Sequence, residues 1–151
     1  MSTEKLRSAQ EKLNTGKQLM NQGDFKEAES IFQELIAKGE LVSDAWNQLG
    51  VLRVRQNKSA EARVCFEKGI LENPTNPAPY SNLGALAHEE GDLEKATEYC
   101  QRALQLDPDY PPALHNLGVI FRKKGDIWNS VKYLKRANRA ELRRRRQKRT
   151  R

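Results

Sequence analysis

The stretch Trp46-Asn47-Gln48-Leu49-Gly50 returns as Tyr80-Ser81-Asn82-Leu83-Gly84 and again as Leu114-His115-Asn116-Leu117-Gly118. Each copy begins 34 residues after the one before it, and Gly16 extends the glycine series one step towards the N-terminus. Two more series keep this step: Gly23, Asn57, Gly91 and Gly125, and Ala28, Ala62, Ala96 and Ser130. A fixed period of this kind is the signature of a repeat protein. The sequence therefore divides into four repeats, 9–42, 43–76, 77–110 and 111–144.

Each repeat is predicted to form two helices. In the third repeat, Pro77 suits the first turn of a helix, where a missing N–H costs nothing, and Gly91 suits a left-handed stop. Asp92 then caps the second helix with its carboxylate. The equivalent caps are Asp24 and Asp126, whereas Lys58 interrupts the series and leaves Asn57 or Ser59 as the predicted cap. The small residues of the glycine and alanine series are expected where the two helices of a repeat cross closely.

The second repeat carries Trp46, Leu49, Gly50, Ala62, Phe66 and Pro74, a pattern that resembles the tetratricopeptide repeat. Arg53 departs from it where a Tyr is expected, as does Cys100 in the third repeat where a Phe is expected. The resemblance implies an all-α fold, an α–α superhelix (solenoid) of four helix pairs. Residues 1–8 would extend the first helix, 9–142 would form the repeat domain, and 143–151 an arginine-rich tail. Because Leu142 stands where other repeats have a Pro, the last helix is predicted to continue as a basic extension.

Tetratricopeptide domains bind peptides or protein segments in a concave groove lined by their first helices, so the resemblance implies a non-enzymatic interaction scaffold or adaptor. By similarity, the groove residues are Asn14, Lys17, Gln48, Val51, Arg55, Asn82, Ala85, His88, Asn116, Val119, Arg122 and Lys123. Neighbouring lining positions are Leu13, Met20, Asn47, Val54, Ser81 and His115. The centre of this set is small and apolar, with basic side chains towards the ends.

The carboxamide series Asn14, Gln48, Asn82 and Asn116 has two interpretations. A carboxamide offers a donor and an acceptor, which match the two polar groups of a peptide backbone. The series then looks like the asparagine ladder of the O-linked N-acetylglucosamine transferase repeats, with Gln48 as a departure. The alternative is that these side chains bond to the preceding repeat and only stabilise the stack.

The residues offer little that favours catalysis or a cofactor. No phosphate-binding loop, nucleophile elbow or metalloprotease motif is present, so no enzyme and no cofactor are predicted. Two histidines, His88 and His115, fall out of register, and no metal site is expected from them. Cys65 and Cys100 are expected as small core residues rather than a disulfide. With no long apolar run and no secretory signal in the first seven residues, the prediction is a cytoplasmic protein without a membrane span.

Charge is concentrated at the C-terminus. The chain of 151 residues has 27 Lys and Arg against 20 Asp and Glu, a net charge of +7. Residues 132–151 hold 11 of the basic residues and one acidic residue, so this segment carries +10 and the rest −3. An alternative function is therefore an RNA- or ribosome-associated factor anchored by its tail, although an acidic protein partner fits the same charges. The residues predicted to bind nucleic acid or an acidic partner are Arg139, Arg143, Arg144, Arg145, Arg146, Lys148, Arg149 and Arg151.

Overall fold

A computed structural model describes residues 1–150 of the chain, and Arg151 lies outside the described residues. The 150 described residues form eight α-helices and no strand, which confirms the predicted all-α class. The chain divides into two compact units, Met1–Asn76 and a second unit that begins at Pro77. This division coincides with the predicted boundary between the second and third repeats.

The N-terminal unit contains the first four helices, α1 (Thr3–Gln22), α2 (Phe25–Ala37), α3 (Val42–Arg55) and α4 (Ser59–Glu72). Helices α1 and α2 pack as a pair, as do α3 and α4, and α2 also packs against α3. The core of this unit joins Leu13 of α1, Phe32 and Leu35 of α2, and Leu49 and Leu52 of α3. Each pair therefore buries its apolar face partly within itself and partly against the next pair.

The C-terminal unit contains α5 (Pro77–Glu89), α6 (Leu93–Leu106), α7 (Pro111–Lys123) and α8 (Ile127–Arg149). The pairs are α5 with α6 and α7 with α8, and α7 contacts both α5 and α6. One cluster joins Ala87, Cys100, Leu117 and Ile120 in the centre of the unit. Helix α8 has no break at Arg143, so the predicted basic extension is the last two turns of one continuous helix.

The glycine series that follows each first helix marks a left-handed turn. Gly23, Gly91 and Gly125 have φ values of 91°, 84° and 84°. Asn57, the fourth member of the series, has a φ of 59°. Asn tolerates this conformation better than other residues with a Cβ. The backbone therefore requires these residue types, which explains why the 34-residue series survives.

The caps of the second helices agree only in part with the prediction. Asp92 accepts a hydrogen bond from the backbone N of Lys95 at 3.0 Å, and Asp126 accepts one from the backbone N of Asn129 at 3.0 Å. Asp24 occupies the cap position of α2 but makes no side-chain cap bond. The prediction that Asn57 or Ser59 caps α4 was wrong, because Lys58 holds that position without a cap bond while Asn57 is used in the turn.

The glycines of the recurring Leu-Gly pair lie where the helices of a repeat cross, as predicted. A Cβ on Gly84 would come 2.5 Å from Sγ of Cys100, and one on Gly118 would come 2.6 Å from Cγ of Leu134. Both distances are far shorter than a normal van der Waals contact. Only glycine allows these two helix pairs to approach as closely as they do.

Candidate functional site

The accessible faces of the first helices were the predicted site. In the C-terminal unit, α5 and α7 are in direct contact. Ala85 of α5 and Val119 of α7 are half-buried, and Lys123 is exposed. Asn116, Val119 and Lys123 share one face of α7 because they are three and four residues apart. We call Ala85, Asn116, Val119 and Lys123 the α5–α7 strip.

The N-terminal unit presents a similar but more basic surface. Lys17 of α1 and Val51 of α3 are half-buried at the positions equivalent to Ala85 and Val119. Arg55 is exposed, and its guanidinium donates to the backbone O of Met20 at 3.1 Å and to Oδ1 of Asn21 at 2.8 Å. Arg55 therefore also links α3 to the end of α1.

The structure separates the two interpretations of the carboxamide series at Asn116. Its Nδ2 donates to the backbone O of Ser81 at 3.0 Å and to Ser81 Oγ at 3.2 Å, both on α5. The amide therefore bonds to the preceding repeat through its donor. No buried side-chain oxygen in residues 1–150 lacks a partner, and Oδ1 of Asn116 accepts no bond from them, so Oδ1 reaches solvent. The acceptor remains available to a ligand while the donor does not.

The other carboxamides differ from one another in exposure. Asn14 is exposed, and its Oδ1 accepts a bond from Nε2 of Gln10 at 3.3 Å. Gln48 and Asn82 are half-buried. The series is therefore not a uniform row of free amides, and each position offers a different group to a ligand.

Several positions expected to line the groove are buried. Leu13, Met20, Asn47 and Ser81 are 2%, 4%, 4% and 1% exposed. Leu13 and Met20 belong to the core cluster of the N-terminal unit, and Ser81 is covered by Asn116. The expectation that these four residues line a groove was wrong, since their helix face packs against the next first helix. The equivalent residues of the last repeat, His115 and Arg122, are exposed.

Polar groups elsewhere have structural roles. Arg53, the residue in the expected Tyr position, is 18% exposed in its side chain and pairs with Glu29 of α2 and Glu61 of α4. The carboxylate of Glu29 raises the pKa of Arg53, so the charge is held by its surroundings. Two lysines, Lys12 and Lys38, bond to Glu34 and lower its pKa to about 2. These ion pairs join neighbouring helices.

No chemistry typical of a catalytic or metal centre is found. In the part of the chain that the structure describes, no group of three or more His, Cys, Asp or Glu could hold a metal ion. Cys65 and Cys100 are buried free thiols, and burial raises the pKa of Cys100 to about 12. No helix within residues 1–150 is long and apolar enough to cross a membrane.

Part of the predicted basic site is used inside the fold. Arg144 donates to Oδ2 of Asp107 at 2.5 Å and lies 5.8 Å from the ring centroid of Tyr110. Arg143 pairs with Asp109 at 3.1 Å, and Arg145 pairs with Glu141 at 3.0 Å. The first two pairs attach α8 to the α6–α7 loop. They leave Arg139, Arg146, Lys148 and Arg149 exposed, and none of these four makes an ion pair with another described residue.

The sequence reasoning missed an apolar surface on α8. Ile127, Trp128, Val131 and Leu142 are 60%, 75%, 44% and 54% exposed. The repeat period contained a usable signal, because Ile127 stands 34 residues after Leu93 in a position that is apolar in three repeats. Attention to the arginines that follow hid this surface.

Paired helices joined by left-handed turns, with small residues at each crossing, define the class of helical-repeat proteins. Models of the tetratricopeptide repeat match residues 13–77, 77–110 and 99–131. The chain belongs to the tetratricopeptide repeat family. Its fold is that of a protein–protein interaction scaffold, and members of the family are generally not enzymes.

Solved structures with the same fold come from unrelated systems. A crystal structure of MamA is 22% identical, with 91% of this chain and 81% of that chain covered and a TM-score of 0.67. Pseudomonas aeruginosa pilF is 18% identical, with 89% and 61% covered and a TM-score of 0.75. A chain of the Cut9–Hcn1 hetero-tetramer of APC/C is 20% identical, with 89% and 26% covered and a TM-score of 0.77. A search of curated proteins found no significant match.

Proposed function

We propose that the chain is a non-enzymatic adaptor that binds an extended segment of a partner protein along the accessible faces of its first helices. The observation that carries this proposal is the α5–α7 strip, where small apolar side chains and an open amide oxygen lie beside a free lysine. Because both cysteines are buried free thiols, we place the adaptor in the reducing cytoplasm.

The strip favours a particular kind of segment. Ala85 and Val119 are too small to fill a pocket, so they allow a ligand backbone to approach closely. Oδ1 of Asn116 can then accept one bond from a ligand N–H, which requires little of the ligand side chain. Lys123 adds positive charge at one end. The expected ligand is therefore an extended segment with small side chains and at least one acidic residue.

The test introduces bulk and charge into the strip without touching the core. Partners captured by the wild-type chain are identified by mass spectrometry, and the dissociation constant of a recombinant partner segment is measured by fluorescence anisotropy. We expect Val119→Arg to weaken binding by at least about tenfold, since a guanidinium would occupy the place of the ligand backbone.

Val64→Arg on α4 is the matched control, because Val64 is 49% exposed and lies outside the strip. Circular dichroism checks that both variants keep their helical content. Equal affinity of the wild-type chain and the Val119→Arg variant for every partner segment would refute the proposal. Asn116→Ala is a poorer test, because it also removes the bonds to Ser81.

A second candidate function is favoured by the exposed basic residues of the last turns of α8. Arg146, Lys148 and Arg149 have no acidic partner among the described residues, which suits binding to RNA phosphates. Their replacement by Gln should then remove an RNA affinity that falls steeply with salt. RNA affinity that is unchanged by the replacement would exclude this candidate.

A further inference from the structure

The last repeat exposes positions that are covered in earlier repeats. In the N-terminal unit, Phe25 of α2 is half-buried against a core cluster that includes Leu49 and Leu52 of α3. In the C-terminal unit, Leu93 of α6 is half-buried against a cluster that includes Leu117 of α7. Ile127 stands at the same repeat position on α8 and is 60% exposed. In both units, the element that covers this position is the first helix of the following repeat.

The first helix of the last repeat shows the same change. Leu13 and Ser81 are 2% and 1% exposed, whereas His115, their equivalent on α7, is exposed. We call the surface formed by His115, Ile127, Trp128, Val131 and Leu142 the end face. Both α7 and α8 thus present to solvent the side that a further helix covers in the two repeats compared.

The apolar residues of the end face form a continuous stripe. At about 100° per residue, Ile127, Trp128, Val131 and Leu142 fall within an arc of about 100° on α8. The stripe is about 22 Å long, since 15 residues rise about 1.5 Å each. Ile127, Trp128 and Val131 line a concavity of about 590 Å³ together with Lys132 and Lys135. Its length and width match one helix of four turns.

The charges beside the stripe have a single sign. Lys132, Lys135, Arg139 and Arg146 are exposed along it, and none of them makes an ion pair with a described residue. The one acidic residue nearby, Glu141, accepts a bond from Arg145 at 3.0 Å and is therefore neutralised. A helix lying on the stripe would gain from carboxylates on both edges.

We propose that the end face binds an acidic amphipathic helix of a partner protein. The repeat geometry specifies a helix as the occupant, the stripe specifies apolar residues at spacings of three and four, and the border specifies Glu or Asp. This surface is separate from the α5–α7 strip, so the two sites can hold different segments.

A second copy of this chain is a poorer occupant on grounds of charge. Two end faces would bring together two segments that each carry +10 over residues 132–151. Helix α1, which exposes Leu6, has four basic and two acidic residues and is therefore positive as well. Like charges on both sides oppose association.

The experiment uses the full chain as bait for a displayed library of 18-residue helical peptides. Every peptide has a fixed leucine stripe, and its polar positions vary among Glu, Gln and Lys. We expect the enriched peptides to be acidic and to bind a single site, with an affinity that falls as salt is raised. Enrichment of neutral or basic peptides, or no enrichment, would overturn the proposal.

Two matched variants locate the site. Val131→Asp should weaken binding of an enriched peptide by at least about tenfold, because it places a carboxylate among apolar contacts and opposite acidic residues. Val64→Asp changes a valine that is 49% exposed, against 44% for Val131, and should change the affinity by less than about twofold. Equal effects of the two substitutions would overturn the proposal. Val119→Arg should leave peptide binding unchanged, so failure of the adaptor proposal is recognised separately.

Other occupants give distinct results. Self-association that Val131→Asp abolishes, measured by sedimentation, would show that the end face pairs with a second copy. Binding to phosphatidylserine vesicles that needs Val131, without binding to acidic peptides, would show a lipid-facing surface. RNA binding that needs Val131 would show a nucleic-acid surface. Each of these three results would overturn the acidic-helix proposal, and a monomer that binds only acidic peptides through Val131 would support it.

Discussion

At the scale of single residues, departures from the repeat pattern are paired with changes in their neighbours. Arg53 replaces a Tyr, and Glu29 and Glu61 lie on the adjacent helices to neutralise it. Cys100 replaces a Phe, and its Sγ lies where a Cβ on Gly84 would come within 2.5 Å. Removal of one partner in either group would leave a buried charge or a clash, so each departure depends on its surroundings.

The close approach at Gly84 gives a testable coupling. Gly84→Ala should lower the free energy of unfolding by about 1–3 kcal/mol, because overpacking exceeds the gain of about 1 kcal/mol in helix propensity. The loss should be smaller in a Cys100→Ala background, where Sγ is absent. Urea unfolding followed by circular dichroism measures the four variants of this cycle. The same cost in both backgrounds would show that Cys100 does not limit the approach.

At the scale of the element, the second helices test the value of a cap. Asp126 accepts bonds from the backbone N of Asn129 at 3.0 Å and from its Nδ2 at 2.6 Å, and these bonds lower the pKa of the carboxyl group below 3.8. Asp24 has the same repeat position but makes no cap bond. Asp126→Ala should therefore lower Tm by a few degrees, and Asp24→Ala by less.

The lowered pKa fixes the pH dependence of this effect. A carboxyl group whose pKa is lower in the folded state stabilises the fold above its ordinary pKa of 3.8. That stabilisation is lost as the pH falls through the lower, folded-state value. The difference in Tm between the wild-type chain and Asp126→Ala should therefore shrink below pH 3.8. A difference that stays constant into strong acid would show that the carboxylate charge is not the cause.

The end of α8 gives a second prediction at this scale. Because Arg144 joins α8 to Asp107, Arg144→Ala should raise the amide hydrogen exchange rates of residues 143–149 by about two- to fivefold. The core helices should keep their protection, since a partly exposed ion pair adds little to global stability. Arg149→Ala is the control, as Arg149 makes no ion pair with a described residue. Equal exchange in both variants would show that the Asp107 contact does not hold the helix.

At the scale of the whole molecule, the period of 34 residues was sufficient to predict the helix pairs and their turns, because those features repeat in the backbone. It could not predict which side of a first helix stays accessible. Leu13 and Ser81 looked like groove residues, but the following helix buries them. Pairing of Arg144 with Asp107 was equally hidden, since it joins residues 37 apart through tertiary contact.

The missed end face has the same cause. Whether Ile127 is core or surface depends on whether a helix packs over it, and the sequence of α8 itself does not contain that information. Comparison of equivalent repeat positions in the structure supplies it, because Leu93 is covered and Ile127 is 60% exposed. Repeat proteins therefore carry an internal reference for unpaired surfaces.

The central claim is that a partner segment lies on the accessible faces of the first helices, and photo-crosslinking tests it most directly. A photoreactive amino acid replaces Val119 in one variant and the 80% exposed Leu71 in another. We predict that the Val119 probe crosslinks to one contiguous segment of a partner protein and that the Leu71 probe does not. Crosslinking of the same segment with equal yield from both positions, or no crosslink from Val119, would contradict the account.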